Sequence, residues 1–156
     1  MALEQEDFIR RFCALWGDGT EETRPQVEQI LSMMADDAQW QLWVPGGPVI
    51  TGKNALRAEI KRQMTFATHN QLNIINIVSS DGIVMTERSD YAVVRGVPMP
   101  HQMVAVYELN QDGLISAWRE YLDTADLEKK SGASPQQRLK ESGESRYTDK
   151  NNVLGI

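Results

Sequence analysis

Residues 80–90 read SDGIVMTERSD, a turn signal that is followed by the alternation of a β-strand. An Asp-Gly pair between two alternating runs is a strong short-range signal for a hairpin. Side chains on one face of a strand repeat every second residue, so Arg88 and Asp90 point the same way as the apolar Val84. The stretch therefore predicts a hairpin whose second strand carries two opposite charges on an otherwise core-like face.

A second strand of this kind is predicted near residues 114–122, where Trp118 and Glu120 share a face. Charges are expensive to bury unless they pair with one another. If the two strands neighbour each other, Arg88 can lie between Asp90 and Glu120. That arrangement would hold two carboxyl groups in different protonation states, which is what acid–base chemistry needs.

The alternative is a ladder of exposed ion pairs, which is common on sheet surfaces and weak. Alternation alone does not separate the two interpretations. Large apolar residues favour a pocket, because small-molecule sites combine a mostly apolar cavity with a few ionisable groups. The residues expected to line it are Trp40, Leu42, Met64, Phe66, Met103 and Trp118. Plain core packing is the alternative for the tryptophans. Glu87 and Arg119, on the opposite faces of their strands, are expected to form a solvent-exposed pair.

The length of 156 residues suits a single domain with one hydrophobic core. A hydrophobic content of 41% and a charged content of 24% are ordinary for a soluble globular protein. The formal net charge of −6 argues against nucleic acid and anionic membranes as partners, since both favour basic patches. A small apolar molecule remains compatible with this charge as the substrate.

The chain has a single cysteine, Cys13, so no intrachain disulfide can form. It falls in a helical pattern of apolar residues, which predicts a buried, unreactive thiol. The first seven residues lack the basic and apolar regions of a signal peptide. No apolar run approaches the roughly 20 residues that span a membrane. We therefore expect a cytoplasmic protein without a membrane segment.

Helical patterns come first along the chain and alternating runs follow, which is typical of an α+β fold with a curved antiparallel sheet wrapped on helices. Helices are predicted at residues 3–17, from about Thr23, at 53–66 and near 124–130, and strands at 38–44, at 49–52 and from Thr68 onward. Another Asp-Gly turn at 112–113 predicts a second hairpin. We place one domain at residues 1–127 and a polar C-terminal tail at residues 128–156, where apolar residues become sparse.

The sequence predicts neither a metal site nor a cofactor site. His69 and His101 fall in different strand segments and have no cysteine partner, so no zinc site is expected. The glycines at 46–47 lie between prolines and do not open a helix, as a phosphate-binding loop does. No nucleophile-elbow sequence is present.

A resemblance to the limonene-1,2-epoxide hydrolase family is carried by the stretches TERSD (86–90) and WREYLD (118–123). The strand VAVYEL (104–109) and the turn DGLI (112–115) extend it, and the resemblance covers about residues 5–127. The family belongs to a wider group that includes ketosteroid isomerases, nuclear-transport-factor-like domains and SnoaL-like cyclases. The resemblance implies a cone-shaped, cystatin-like α+β domain, in which a bent antiparallel sheet encloses an apolar pocket, and a homodimer.

The resemblance also implies a reaction that needs no cofactor. In the family, one carboxyl group deprotonates a water, a second carboxyl group protonates the epoxide oxygen, and an arginine bridges them. The matching residues are Arg88 as the bridge, Asp90 as the proton donor and Glu120 as the base. The family has Asp at the position of Glu120. The glutamate side chain is longer by one methylene, which moves its carboxyl group relative to the position of the family's base.

The first predicted strand departs from the family pattern. The family holds its water with a Tyr and an Asn, and the matching positions here are Trp40 and Leu42. Trp offers one N–H donor and Leu offers no polar group. Three functions are therefore open. The first is an epoxide hydrolase with an altered water site. The second is an isomerase, dehydratase or epoxide-opening cyclase acting on a steroid-, terpene- or polyketide-like substrate. The third is a non-catalytic ligand-binding module.

Overall fold

The computed structural model of the protein describes residues 2–132, which form four helices and seven strands. The helices are α1 (Ala2–Ala14), α2 (Val27–Ser32), α3 (Lys53–Met64) and α4 (Thr124–Ser131). The strands are β1 (Met34–Val44), β2 (Val49–Thr51), β3 (Ala67–Ser80), β4 (Ile83–Val94), β5 (Val97–Pro98), β6 (His101–Leu109) and β7 (Ile115–Leu122). None of these described helices is long and apolar enough to cross a membrane.

Helix α1 ends at Ala14, three residues earlier than predicted, because the chain turns at Gly17 against strand β3. A Cβ atom at Gly17 would lie 2.2 Å from the carbonyl oxygen of Asn70. Gly17 also has a φ of +146°, a conformation that other residues rarely adopt. The close approach fixes where α1 meets the sheet.

Helix α2 begins at Val27 and not near Thr23 as predicted. The residues before it follow the end of α1, where the Gln26 amide donates to the Leu15 carbonyl at 2.9 Å. Arg24 donates to a backbone carbonyl at the end of α3 at 2.5 Å. These tertiary hydrogen bonds outweigh the local helical pattern.

The strands form one curved sheet in the order β2-β1-β7-β6-β4-β3, with β5 beside β4. The hairpins β3–β4 and β6–β7 form at the two Asp-Gly turns, as predicted. Pairing is antiparallel except between β1 and β7, which are parallel. That pair joins distant parts of the chain, so no local turn signal could reveal it. The predicted α+β class with a curved sheet is confirmed, and the sheet is mixed in its strand directions.

An aromatic cluster fills the space between α1 and the inner face of the sheet. Its rings are those of Phe12, Trp16, Trp40, Tyr107 and Trp118. Phe12 meets Trp118 edge to face with ring centroids 5.1 Å apart. Such a pair contributes about 0.5–1.5 kcal/mol beyond the area that it buries. Cys13 is buried beside the cluster, as predicted, and burial raises the pKa of its thiol.

Helix α4 starts after Asp123, whose carboxylate accepts a hydrogen bond from a backbone amide in the first turn at 3.1 Å. This cap satisfies one of the amides that a helix start leaves open. The helix ends at Ser131 and so crosses the predicted domain boundary at residue 127. The remainder of the predicted tail, 133–156, lies outside the described residues.

Candidate active site

Three ionisable side chains meet on the inner face of the sheet. Arg88 and Asp90 lie two residues apart on β4, and Glu120 lies on β7. Their exposed fractions are 1%, 4% and 7%. The structure therefore brings the predicted acid–arginine–acid group together, and its burial excludes the exposed ladder for these residues.

Arg88 donates hydrogen bonds to both carboxyl groups. Its Nε lies 3.1 Å from Asp90 Oδ1 and its Nη2 lies 2.7 Å from Asp90 Oδ2. The same Nη2 lies 2.5 Å from Glu120 Oε2. Charge-assisted hydrogen bonds of this kind are about twice as strong as neutral ones. With one cation for two buried acids, the group favours a single proton shared between the acids.

Strands β4 and β7 are not neighbours, so the group forms without the direct strand contact on which the sequence analysis made it conditional. Strand β6 lies between them, so the backbones are about 10 Å apart across two strand spacings. Ala105 of β6 pairs with Glu120 and is fully buried. Arg88 pairs with Met103 of β6, and its Nη2 lies 2.7 Å from Met103 Sδ. The small Ala105, the next residue on this face, leaves room for the guanidinium to reach Glu120.

Tyr107 is a further partner of Arg88 that the sequence analysis missed. Arg88 Nη1 donates to Tyr107 Oη at 2.7 Å. That oxygen also lies 3.0 Å from Thr86 Oγ1 and 3.6 Å from Cys13 Sγ. The alternation of β6 was the available signal, since it places Tyr107 on the same face as Ala105. All three guanidinium nitrogens of Arg88 therefore have polar partners.

Burial and neighbouring charges shift the protonation of this group. Burial raises the pKa of Glu120, which Arg88 partly offsets and the charge of Asp90 reinforces. Burial disfavours the charge of Arg88, but Tyr107 and the two carboxyl groups outweigh it, so the pKa of Arg88 lies above its usual value. Burial also raises the pKa of Tyr107. The site thus combines a permanent cation, a neutral phenol and a glutamate that keeps its proton to higher pH than an ordinary glutamate does.

Two adjoining cavities open onto this group. The inner cavity has a volume of about 170 Å³, and Arg88, Asp90 and Glu120 lie in its wall. The outer cavity has a volume of about 210 Å³. The residues that line both are Trp40, Gln63, Phe66, Val94, His101 and Glu120. Among residues 2–132, no three His, Cys, Asp or Glu side chains are grouped as a metal ion would require.

Most of the residues that were expected to line a pocket do so. Those found in the cavity walls are Trp40, Leu42, Phe66, Met103 and Trp118. Met64 lines neither cavity and packs instead against the hydrophobic core. Its neighbour Gln63 lines both cavities. The helical pattern showed that this end of α3 faces inward, but it could not separate the core from the cavity.

The predicted pair of Glu87 and Arg119 does not form. Glu87 accepts a hydrogen bond from Asn76 Nδ2 at 2.7 Å. Arg119 Nη1 donates to Glu108 Oε2 at 2.5 Å. Because β6 separates β4 from β7, Arg119 finds its partner on β6 and not on β4.

His101 lies at the site and was considered in the sequence analysis only as a metal ligand. It pairs with Asp90 across β4 and β6 and lines both cavities. Its Nδ1 lies 2.8 Å from the carbonyl oxygen of Met99. A carbonyl oxygen can only accept, so Nδ1 carries a proton, and Nε2 is an acceptor whenever the ring carries no second proton. The only sequence signal for a role of His101 at the site was an ionisable side chain in an alternating strand.

A family model described as the limonene-1,2-epoxide hydrolase catalytic domain matches residues 24–132, more than half of the chain. The chain belongs to the limonene-1,2-epoxide hydrolase family. The match begins after α1, covers the whole of α4, and includes Arg88, Asp90 and Glu120. The predicted resemblance is confirmed, and the family supports an enzyme of the epoxide hydrolase type or a related activity on the same fold.

Two solved structures share the fold of this family member. One is an LEH-like epoxide hydrolase from M. tuberculosis, with 22% identity, a TM-score of 0.67, and coverage of 83% of this chain and 90% of that chain. The other is a hypothetical protein with a ketosteroid isomerase-like fold from Catenulispora acidiphila DSM 44928, in complex with trimethylamine. It has 16% identity, a TM-score of 0.68, and coverage of 81% of this chain and 93% of that chain. No curated protein matches the chain.

The first strand of this family member differs from the family pattern at Trp40 and Leu42. The Trp40 ring stacks on that of Trp118, with centroids 4.4 Å apart and planes 3° from parallel. The Trp40 Nε1 atom is buried and makes no hydrogen bond within the described residues. Leu42 lines the outer cavity with an apolar side chain. Neither position offers a polar group to a water in the cavity.

Proposed function

We propose that this protein opens a small apolar epoxide by general acid–base catalysis, with Asp90, Arg88 and Glu120 as the reacting group. The observation that carries the proposal is the burial of this group in the wall of a largely apolar cavity. A cavity of that kind binds an apolar substrate and also strengthens the electrostatic interactions within it.

The raised pKa of Glu120 favours the proton on that residue at rest. In this proposal the reactive state is therefore the one in which the proton has passed to Asp90 and Glu120 is ionised. Glu120 removes a proton from the attacking hydroxyl while the oxygen of that hydroxyl bonds to an epoxide carbon. The bond between that carbon and the epoxide oxygen breaks, and Asp90 gives its proton to the departing oxygen. Arg88 remains protonated throughout. Proton exchange between Glu120 and Asp90 through solvent restores the starting state, so the atoms and charges balance.

The structure of the group is compatible with these roles. The raised pKa of Glu120 makes it a stronger base than an ordinary glutamate. The two hydrogen bonds from Arg88 to Asp90 fit the ionised Asp90 that follows proton transfer. They stabilise the charge that develops on Asp90 as it gives up its proton.

A second candidate is an isomerase, dehydratase or epoxide-opening cyclase. The packing of Trp40 and the apolar Leu42 favour it, because a water would lack the holders that the family uses. In a cyclase the attacking hydroxyl belongs to the substrate itself. In an isomerase or dehydratase, Asp90 and Glu120 would move a proton within the substrate.

A turnover assay on a panel of apolar epoxides in water enriched in ¹⁸O tests the proposal. A diol that carries one heavy oxygen would support hydrolysis, and an unlabelled cyclised or rearranged product would support the second candidate. Absence of turnover on the whole panel would contradict epoxide opening and leave the isomerase or dehydratase and the non-catalytic module. Every activity must also disappear in an Asp90→Asn variant, which separates it from contaminating enzymes.

A further inference from the structure

An attacking water has two protons, and both need an acceptor. Glu120 takes one of them in the proposed reaction. The second proton requires a further acceptor if the water is to keep one orientation toward the epoxide carbon. Trp40 and Leu42 supply none, so the acceptor must come from elsewhere in the cavity wall.

Glu120 lines both cavities, so we take as candidates for this acceptor the residues that share that position with it. Besides Glu120, the polar side chains with an acceptor atom among them are Gln63 and His101. Gln63 lies in the last turn of α3, and its amide can present either its oxygen or its nitrogen. His101 is the first residue of β6, and its Nδ1 proton is directed to the Met99 carbonyl oxygen at 2.8 Å.

We propose that Nε2 of His101 accepts a hydrogen bond from the second O–H of the water that attacks the epoxide, in place of the acceptor that the first strand lacks. The proposal rests on the proposed function, because it assigns a catalytic residue to that reaction. His101 takes up no proton in the step. It orients the oxygen lone pair while Glu120 removes the transferred proton.

Two further observations place His101 near the reacting group. It pairs with Asp90 in the register of β4 and β6. A positive charge on His101 would also lower the pKa of Glu120, so the imidazole and the carboxyl group lie within electrostatic reach. A residue that holds the attacking water needs three properties. It must line both cavities, keep its Nδ1 proton on a fixed partner, and lie near the base Glu120.

Two substitutions at His101 distinguish the roles of its two ring nitrogens. His101→Asn keeps a donor for the Met99 carbonyl but removes the distal acceptor, whereas His101→Gln can keep an acceptor near the position of Nε2. We expect His101→Asn to lower kcat roughly 10- to 100-fold, as misplacement of a reacting group does, with KM changed less than about threefold. His101→Gln should recover most of the loss. Gln63→Leu serves as the control for the competing acceptor.

The kinetic constants are measured on an epoxide that the wild type opens, and the position of the imidazole proton is measured by ¹⁵N NMR of the full chain. Full kcat in His101→Asn, or a large loss in Gln63→Leu alone, would overturn the inference while the proposed function stands. Failure of the wild type on every epoxide would instead overturn the proposed function. The NMR measurement decides independently of turnover, because a proton on Nε2 refutes the acceptor role and a proton on Nδ1 supports it.

Discussion

Arg88 is almost completely buried and is the shared donor for two acids, so its removal leaves both acids uncompensated. We expect Arg88→Ala to lower the free energy of unfolding by about 3–5 kcal/mol, the usual cost of breaking a buried ion pair. Urea denaturation measures this change. Arg57→Ala is the matched control, because Arg57 bonds both oxygens of Glu28 at 2.9 Å on the surface. If both variants lose the same stability, burial of the Arg88 group does not have the energetic weight that we assign to it.

Asp90 is assigned the role of proton donor, which an amide of the same shape cannot fill. We expect Asp90→Asn to fold as the wild type does and to lose at least about 100-fold in kcat/KM, the low end of the range for general acid–base catalysis. Circular dichroism checks that the fold is unchanged, and steady-state kinetics measure the loss in kcat/KM. Asp112→Asn, in the exposed turn between β6 and β7, should leave both unchanged. Full turnover in Asp90→Asn would show that another group protonates the epoxide oxygen.

Glu120 makes stability depend on pH in a direction that its raised pKa determines. The folded state binds the Glu120 proton more tightly than the unfolded state, whose pKa is near the ordinary 4.5. Its contribution to stability is therefore fully present below that value and is lost as the pH rises through the higher folded pKa. We expect the difference in unfolding free energy between wild type and Glu120→Gln to fall across this window. A difference that is constant with pH, or that rises, would contradict the raised pKa.

At the scale of single elements, strand β6 decides whether the two acids share one arginine. The methyl group of Ala105 leaves the path from Arg88 to Glu120 open. We expect Ala105→Leu to block this path, to lower the free energy of unfolding by about 1–3 kcal/mol through overpacking, and to reduce turnover. Denaturation and kinetics measure both effects. Gln102→Leu, on the same strand but at an exposed position, should have little effect; a harmless Ala105→Leu would mean that the guanidinium crosses β6 elsewhere.

At the scale of the whole molecule, the outer face of the sheet carries an exposed apolar patch, which we call the outer patch. Its residues are Val78, Met85, Val104 and Tyr121. The strand register aligns Val78 with Met85 and Val104 with Tyr121, so they form two cross-strand pairs. Clusters of exposed apolar side chains of this kind mark interaction sites.

We propose that a second copy of the chain covers the outer patch, in keeping with the homodimer that the family resemblance implies. We expect the wild type to elute as a dimer and Val104→Glu to elute as a monomer, because the interface would bury an unpaired charge. Size-exclusion chromatography with light scattering measures the mass. Gln29→Glu adds the same charge on the exposed side of α2 and should stay dimeric. A monomeric wild type would refute the proposal.

Much of the fold was predictable because its signals are local. The Asp-Gly turns predict both long hairpins, and the alternation of β4 predicts that Arg88 and Asp90 share a buried face. The parallel pairing of β1 with β7 was not predictable, since no local sequence pattern in either strand indicates which strand it pairs with. The predicted start of α2 was wrong for the same reason, because Arg24 forms a hydrogen bond with a distant part of the chain.

The sequence by itself determined the α+β class, the family, and which three ionisable side chains form the site. Those properties follow from periodicity and from short motifs, which act between residues close in the chain. Only the tertiary structure decided that Arg88 crosses β6 over Ala105, that Tyr107 and His101 join the site, and that Met64 does not. Such contacts depend on strand order and on side-chain size across the sheet, and neither property is encoded within a single local segment.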